Sequence, residues 1–345
     1  MRAAVLREYR RPLVIEDVPD PECPPDGVVI EVAAVGVCRS DWHGWVGEHP
    51  AVKPGHIGGH EYCGRVVEAG PAAAHRPGDM LVAPFILACG ACPQCLMGAQ
   101  NTCLDQRIPG FLQPGAFAAY VAVPRDRNLA RLPESLPPAI AAGLGCRVTT
   151  AWHALTGRAA LRAGEWLAVH GTGGIGLSAA ILGRALGARV VVVDVVQEKL
   201  DHALSLGMDA AVNAAREDPA AAIREITGGG ADVSVEALGV PATVNGSLEC
   251  LAPLGRHVQV GMPVGHTARM EVNMSAVYQR NLALFGTRGM PAWRYPSLLS
   301  LIETGRIDMS PLIAREVRLS DVSAELAAFD GPTAPGVAVV TDLAG

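Results

Sequence analysis

The chain has no apolar run long enough to cross a bilayer. A spanning helix needs about 20 consecutive apolar residues. The longest run here, around Arg189–Val196, is short, β-branched and interrupted by Asp194. There is no block of Lys or Arg, and the formal net charge is −6, which argues against nucleic-acid binding. The opening MRAAVLREYRRPLVIEDV mixes charges and lacks the apolar centre of a signal peptide. The expected location is therefore the cytoplasm, with no membrane partner. Nor is there an even set of cysteines. Nine occur, at 23, 38, 63, 89, 92, 95, 103, 146 and 250, and an odd count in this setting argues against a disulfide framework. Aromatics are scarce, five each of Trp, Tyr and Phe, so those that gather near a motif stand out.

Half of the 345 residues are hydrophobic, enough to bury the cores of two domains. The first part is rich in Gly, Pro and short β-type runs: Gly27–Val37, Gly64–Ala69, Met80–Ala83 and Phe117–Val123. Turn signals such as PPDG and RPGD separate them, so this part reads as an irregular, mostly β domain. The texture changes near Ile140. Strands are expected at Trp166–His170, Val190–Val195, Ala211–Val212, Val233–Glu236, His257–Val260 and Leu282–Phe285. Helices are expected at Gly176–Leu186, Lys199–Leu206 and Pro219–Ile226. Such alternation means a parallel sheet covered on both faces. A helix at Tyr295–Glu303 and a strand at Gly336–Thr341 complete the chain.

Four cysteines sit close together at Cys89, Cys92, Cys95 and Cys103. Four thiolates at this spacing suit a closed tetrahedral Zn²⁺ site, which leaves no position for chemistry. A redox CxxC pair and an iron–sulfur cluster use the same ligand type and are the alternatives. A second motif, Gly171-Thr-Gly173-Gly174-Ile175-Gly176, follows the strand WLAVH and opens a helix. In that context the glycines cradle a pyrophosphate at the helix N-terminus. Asp194 ends the next strand, where a carboxylate binds ribose hydroxyls and repels a 2′-phosphate, favouring NAD over NADP. A third group pairs Cys38-Arg39-Ser40-Asp41-Trp42-His43 with Gly59-His60-Glu61. Cys and His are preferred zinc ligands.

Taken together, these motifs resemble the zinc-dependent alcohol dehydrogenases of the medium-chain dehydrogenase/reductase superfamily, in the family's order and over nearly the whole chain. The resemblance implies an α/β protein in three parts. A mostly β, GroES-like catalytic domain covers 1–147, with a structural zinc lobe at about 85–107. A Rossmann NAD-binding domain covers 148–287, and segment 288–345 returns to the catalytic domain. It implies two zinc ions per chain, one structural and one catalytic, the second held by Cys38, His60 and Cys146. Polyol-dehydrogenase relatives often carry a carboxylate in the third place, so Cys146 argues against that branch. Glu61 would sit behind the metal, and Asp41 would orient His60. Ser40 and His43 would relay the proton to solvent.

For the cofactor, Arg39 would touch the pyrophosphate, Thr150 would pack on the nicotinamide, and Lys199 would contact a ribose. Arg288 is a further candidate for the pyrophosphate. One departure is visible: many relatives carry a basic residue in the last strand, where this chain has Val337. Phe85 and Trp45 are expected on the pocket wall, with Trp42 and Trp152 as additions, giving an apolar site for aliphatic or benzylic alcohols. Ser40 in place of Thr frees room beside the zinc for bulkier or secondary alcohols. The implied reaction is reversible hydride transfer between a primary or secondary alcohol and NAD(+), giving an aldehyde or ketone and NADH. The alternative is a related zinc dehydrogenase for polyols, amino-alcohols or formaldehyde derivatives. A homo-oligomer, tetramer or dimer, is expected.

Overall fold

The computed structural model describes residues 1–344, so only Gly345 of the expected C-terminal segment lies outside the described residues. No described helix is long and apolar enough to cross a membrane.

A six-stranded sheet forms one half of the molecule, in the order Ala210–Asn213, Arg189–Asp194, Trp166–His170, Ala231–Glu236, Leu251–Gln259, Ala283–Gly286. Every neighbouring pair is parallel. The strand RVVVVD is buried along Val190–Val193, as a strand with helices on both faces must be. Helices end where local chemistry says they should. In Pro219–Thr227, Asp218 accepts from the Ala220 N–H at 3.0 Å, Pro219 takes the first turn, and Gly228 closes the end at φ 74°. Strand order reverses beside Trp166–His170, and that switch point opens a crevice at the strands' C-terminal ends.

The other half contains a seven-stranded sheet. Val28–Gly36 pairs antiparallel with Glu61–Ala69, Tyr120–Val123 and the C-terminal strand Val337–Asp342. The chain's last strand thus returns to the sheet that its first part builds. Arg2–Leu6 and Val14–Asp17, which the sequence reading left unassigned, form part of a small three-stranded sheet. Leu251–Gln259 starts six residues before the expected strand. Pro253 and Gly255 look like breakers, but the strand tolerates them with Leu254 at φ 65°.

Register between the first two strands positions the site. Gly36 stands opposite Glu61. The residues just beyond these ends, Cys38 and His60, are therefore brought together although they are far apart in sequence.

Candidate metal centre and cofactor cleft

Cys38, His60 and Glu61 offer donor atoms that all lie within 4.8 Å of one another, and all three residues are buried. His60 Nδ1 bonds Asp41 Oδ1 at 3.0 Å, while His60 Nε2 is buried with no hydrogen-bond partner. Asp41 also accepts from the backbone N–H groups of Cys38 at 3.2 Å and Gly59 at 3.1 Å. The carboxylate thus fixes the ring and leaves one nitrogen lone pair facing the cluster, the arrangement of a metal-binding histidine. Cys146 adjoins from the other side. The neighbouring Cys146 thiol draws that of Cys38 well below its ordinary value, and Cys38 together with burial raises that of Cys146.

Glu61 is fully buried and committed elsewhere. Oε1 accepts from the Arg147 backbone N–H at 3.0 Å, and Oε2 accepts from Arg147 Nε at 2.6 Å and pairs with Nη2. Arg147 was not anticipated as a site residue. Burial opposes its charge, but Glu61 and then the thiol of Cys38 hold its pKa above the arginine norm.

The cysteine lobe is a separate cluster. Its sulfurs lie 3.4 Å apart for Cys92–Cys95 and 3.9 Å for both Cys89–Cys95 and Cys92–Cys103. A tetrahedral zinc with Zn–S bonds of ~2.3 Å separates its ligands by roughly 3.8 Å. Backbone N–H groups of Ala91 and Cys92 point at Cys89 Sγ, and that of Cys89 at Cys103 Sγ. N–H donors from Leu104 and Cys95 pull the Cys92 thiol down to about 6, whereas burial and the neighbouring Cys92 push Cys95 up to about 12. The four cannot all ionise without a cation among them, so the set fits a closed metal site.

A cleft of about 1610 Å³ joins the dispersed centre to the glycine turn. It is lined by Cys38, His60, Cys146, Thr150, Gly173, Gly174, Ile175, Asp194 and Lys199, so the sequence-predicted residues of two domains meet in one space. Gly171 and Gly176 shape the turn without lining it. Gly171 has φ 92°, and a Cβ on Gly176 would lie 1.7 Å from the Gly171 carbonyl oxygen, so only glycine lets the helix start there. Asp194 accepts from Thr172 N–H and O–H and from the N–H groups of Val195 and Val196, which holds its carboxylate at the cleft edge. Thr150 Oγ1 is buried without a partner, a hydroxyl left for a ligand. Lys199 Nζ donates to Thr333 at 2.9 Å. Arg39 also lines the cleft, with Cζ 4.8 Å above Trp42 and Nη1 donating to the Phe329 carbonyl. Ser40 and His43 line it as well, and His43 Nδ1 bonds Glu48 Oε2 at 2.7 Å. Glu48, which the sequence did not single out, thus braces the ring of a cleft-lining histidine.

Residues 24–134 match the alcohol dehydrogenase GroES-like domain model, and residues 174–304 match the zinc-binding dehydrogenase model. An alcohol dehydrogenase of Geobacillus stearothermophilus is 37% identical over 233 residues, 66% of this chain and 68% of that one. The structure of alcohol dehydrogenase TADH from Thermus sp. ATN1 superposes with a TM-score of 0.91 at 30% identity, covering 99% of both chains. The chain belongs to the zinc-type alcohol dehydrogenases. An L-threonine 3-dehydrogenase of Symbiobacterium thermophilum is also 30% identical, over 99% of this chain and 98% of that one.

The end of the cleft beside Phe85 departs from expectation. Phe85 is on the wall, its ring 5.9 Å from that of His60. Trp45 is not. It lies in the core with Nε1 donating to the Arg11 carbonyl, because its position on the short helix Arg39–Trp45 turns it away from the cleft. Trp42 bonds Asp330 and Trp152 packs in the other core, so neither lines the cleft. His49 and Phe111 replace them, with rings 4.6 Å apart. Arg288 is at this end rather than beside the glycine turn. Its Cζ lies 5.4 Å from the Phe85 centroid and its Nη1 donates to Gln106. Burial and then the charge of Arg288 push His49 down. The expected apolar wall is therefore part aromatic and part cationic.

Proposed function

We propose that this protein catalyses NAD-dependent oxidation of an alcohol at a zinc centre held by Cys38, His60 and Cys146, with a second, structural zinc in the cysteine lobe. The carrying observation is the unpartnered, buried Nε2 of His60 in the same cleft as the unpartnered Thr150 hydroxyl and the glycine turn. Cys146 is preferred to Glu61 as third ligand because Arg147 already engages both Glu61 oxygens. When bound, zinc acts as a Lewis acid on the alcohol oxygen and NAD accepts the hydride.

The chain's own residues do the rest. Asp41 holds the His60 ring. Thr150 presses on the nicotinamide side of the cleft. Ser40 and His43 carry the alcohol proton outward, and Glu48 orients His43. The carboxylate of Asp194 selects NAD by its charge. We read the chain as cytoplasmic from its composition, and as homo-oligomeric because Ala283–Gly286 ends its sheet and Met274, Tyr278 and Leu284 nearby are exposed.

A second reading concerns substrate class. Arg288 and His49 beside Phe85 favour a secondary alcohol that bears a carboxylate, in keeping with the threonine-dehydrogenase relatives. The cleft's acidic lining residues do not compete for Arg288: Asp194 is bonded at the glycine turn and Glu325 is paired with Arg315.

Metal counting combined with a substrate panel tests both readings. Two zincs per chain and NADH formation are expected, with hydroxy acids turned over faster than neutral alcohols of equal size. A single zinc, or no NADH from any alcohol, overturns the main reading. Faster turnover of neutral alcohols overturns the second.

A further inference from the structure

We propose that Arg147 is the cation that meets the cofactor pyrophosphate, reaching it from the metal side of the cleft and replacing the charge that Val337 lacks. The assignment rests on the dinucleotide reading above.

Arg147 is only 2% exposed and directly follows Cys146. Three of its four nitrogens are committed. The backbone N–H and Nε hold Glu61, and Nη2 pairs with Glu61 and donates to the Val37 carbonyl at 3.0 Å. Nη1 has no hydrogen-bond partner among the described residues. Its position is marked by Gly174, the first residue of the twelve-residue helix Gly174–Ala185. A Cβ on Gly174 would lie 3.1 Å from Arg147 Nη1 and 3.1 Å from Val337 Cγ1. The free guanidinium nitrogen, the uncharged Val337 and the helix N-terminus thus converge, and all three residues line the cleft.

A guanidinium nitrogen left without a protein acceptor on the wall of the cleft is available to a ligand that brings one. A phosphate oxygen fits best. It pairs with guanidinium through charge-assisted bonds and also suits the free N–H groups of a helix N-terminus. Glycine at 174 is what lets phosphate, helix and guanidinium approach together. One side chain would then touch both the carboxylate behind the metal and the cofactor.

The test is calorimetric titration of the zinc-loaded protein with ADP-ribose, which carries the pyrophosphate but no nicotinamide, and with AMP. Arg147→Lys keeps a cation beside Glu61 but cannot reach both groups. Removing the charge outright would leave Glu61 buried without a partner and endanger the fold. Arg147→Lys, with zinc content intact, should weaken ADP-ribose binding roughly tenfold or more, about the size of one charged hydrogen bond. AMP binding should change by less than about twofold, and Val337→Arg added to this variant should restore part of the loss. Unchanged ADP-ribose affinity, or an equal loss for AMP, overturns the assignment. If Arg147→Lys loses zinc or fails to fold, Val337→Arg alone decides. A gain below about fivefold supports a subsite already served, and a larger gain overturns it. A parent chain that binds no ADP-ribose overturns the dinucleotide reading itself, and this assignment with it.

Discussion

The cysteine lobe takes all its donors from one short stretch, Cys89–Cys103, whereas the dispersed centre gathers Cys38, His60 and Cys146 from three separate segments. The lobe uses a single donor type, steadied by backbone N–H groups of its own loop. The dispersed centre mixes sulfur and nitrogen, is buried, and has a carboxylate on each flank, Asp41 on His60 and Glu61 on Arg147. A four-thiolate set closes a metal's coordination sphere, while a three-donor set leaves a position for substrate. Local donors therefore suit a structural clamp. Donors delivered by the fold make a site that can be open, dry and adjacent to a second ligand.

Three experiments would break or sharpen this contrast. The largest effect is expected from comparing Cys38→Ala with Cys92→Ala. Cys38→Ala should lower kcat by about 1000-fold or more through loss of the Lewis acid while leaving thermal stability nearly intact. Cys92→Ala should instead lower Tm by roughly 10 °C, with activity falling only as the fold is lost. Circular dichroism melts beside steady-state kinetics separate the two, and the reverse pattern would abolish the division of labour.

A smaller effect is expected at Asp41. Asp41→Asn should reduce zinc affinity of the dispersed centre by about 10- to 100-fold without disturbing the lobe, measured by competition with a chromophoric chelator. Equal loss from both sites would make Asp41 a general folding residue. The smallest effect concerns proton exit. His43→Gln should slow alcohol oxidation at neutral pH by about 10-fold, with partial rescue by added imidazole. An unaltered pH–rate profile would remove His43 from the relay.

Much of the Rossmann half was legible because its signals are local. Trp166–His170 matches its expected span, and Pro219–Thr227 carries its own cap, proline and closing glycine. The helix at the glycine turn begins at Gly174, two residues earlier than read, because the turn is itself the helix's first turn. The site was legible as a set of donors but not as a space. Trp45, two positions from His43, faces the core because neighbours on a helix point in different directions. His49 and Glu48 carry no periodic or spacing signal. Arg147 did leave one, a single charge inside the apolar run LGCRVTTAW, which demands a buried partner.

The sequence by itself determined the chemistry available: a cluster of four cysteines, a glycine-rich turn followed by a strand that ends in a carboxylate, and Cys–His donors. Each follows from residue type and short-range spacing. Only the tertiary structure decided which atoms are left free. Opposing Gly36 to Glu61 sets Cys38 beside His60, and packing the two halves together brings Arg147 to Gly174 and Arg288 to Phe85. A hydrogen-bonding group becomes a ligand site when every other partner has been excluded from it. That is a property of the whole packed chain rather than of any one segment.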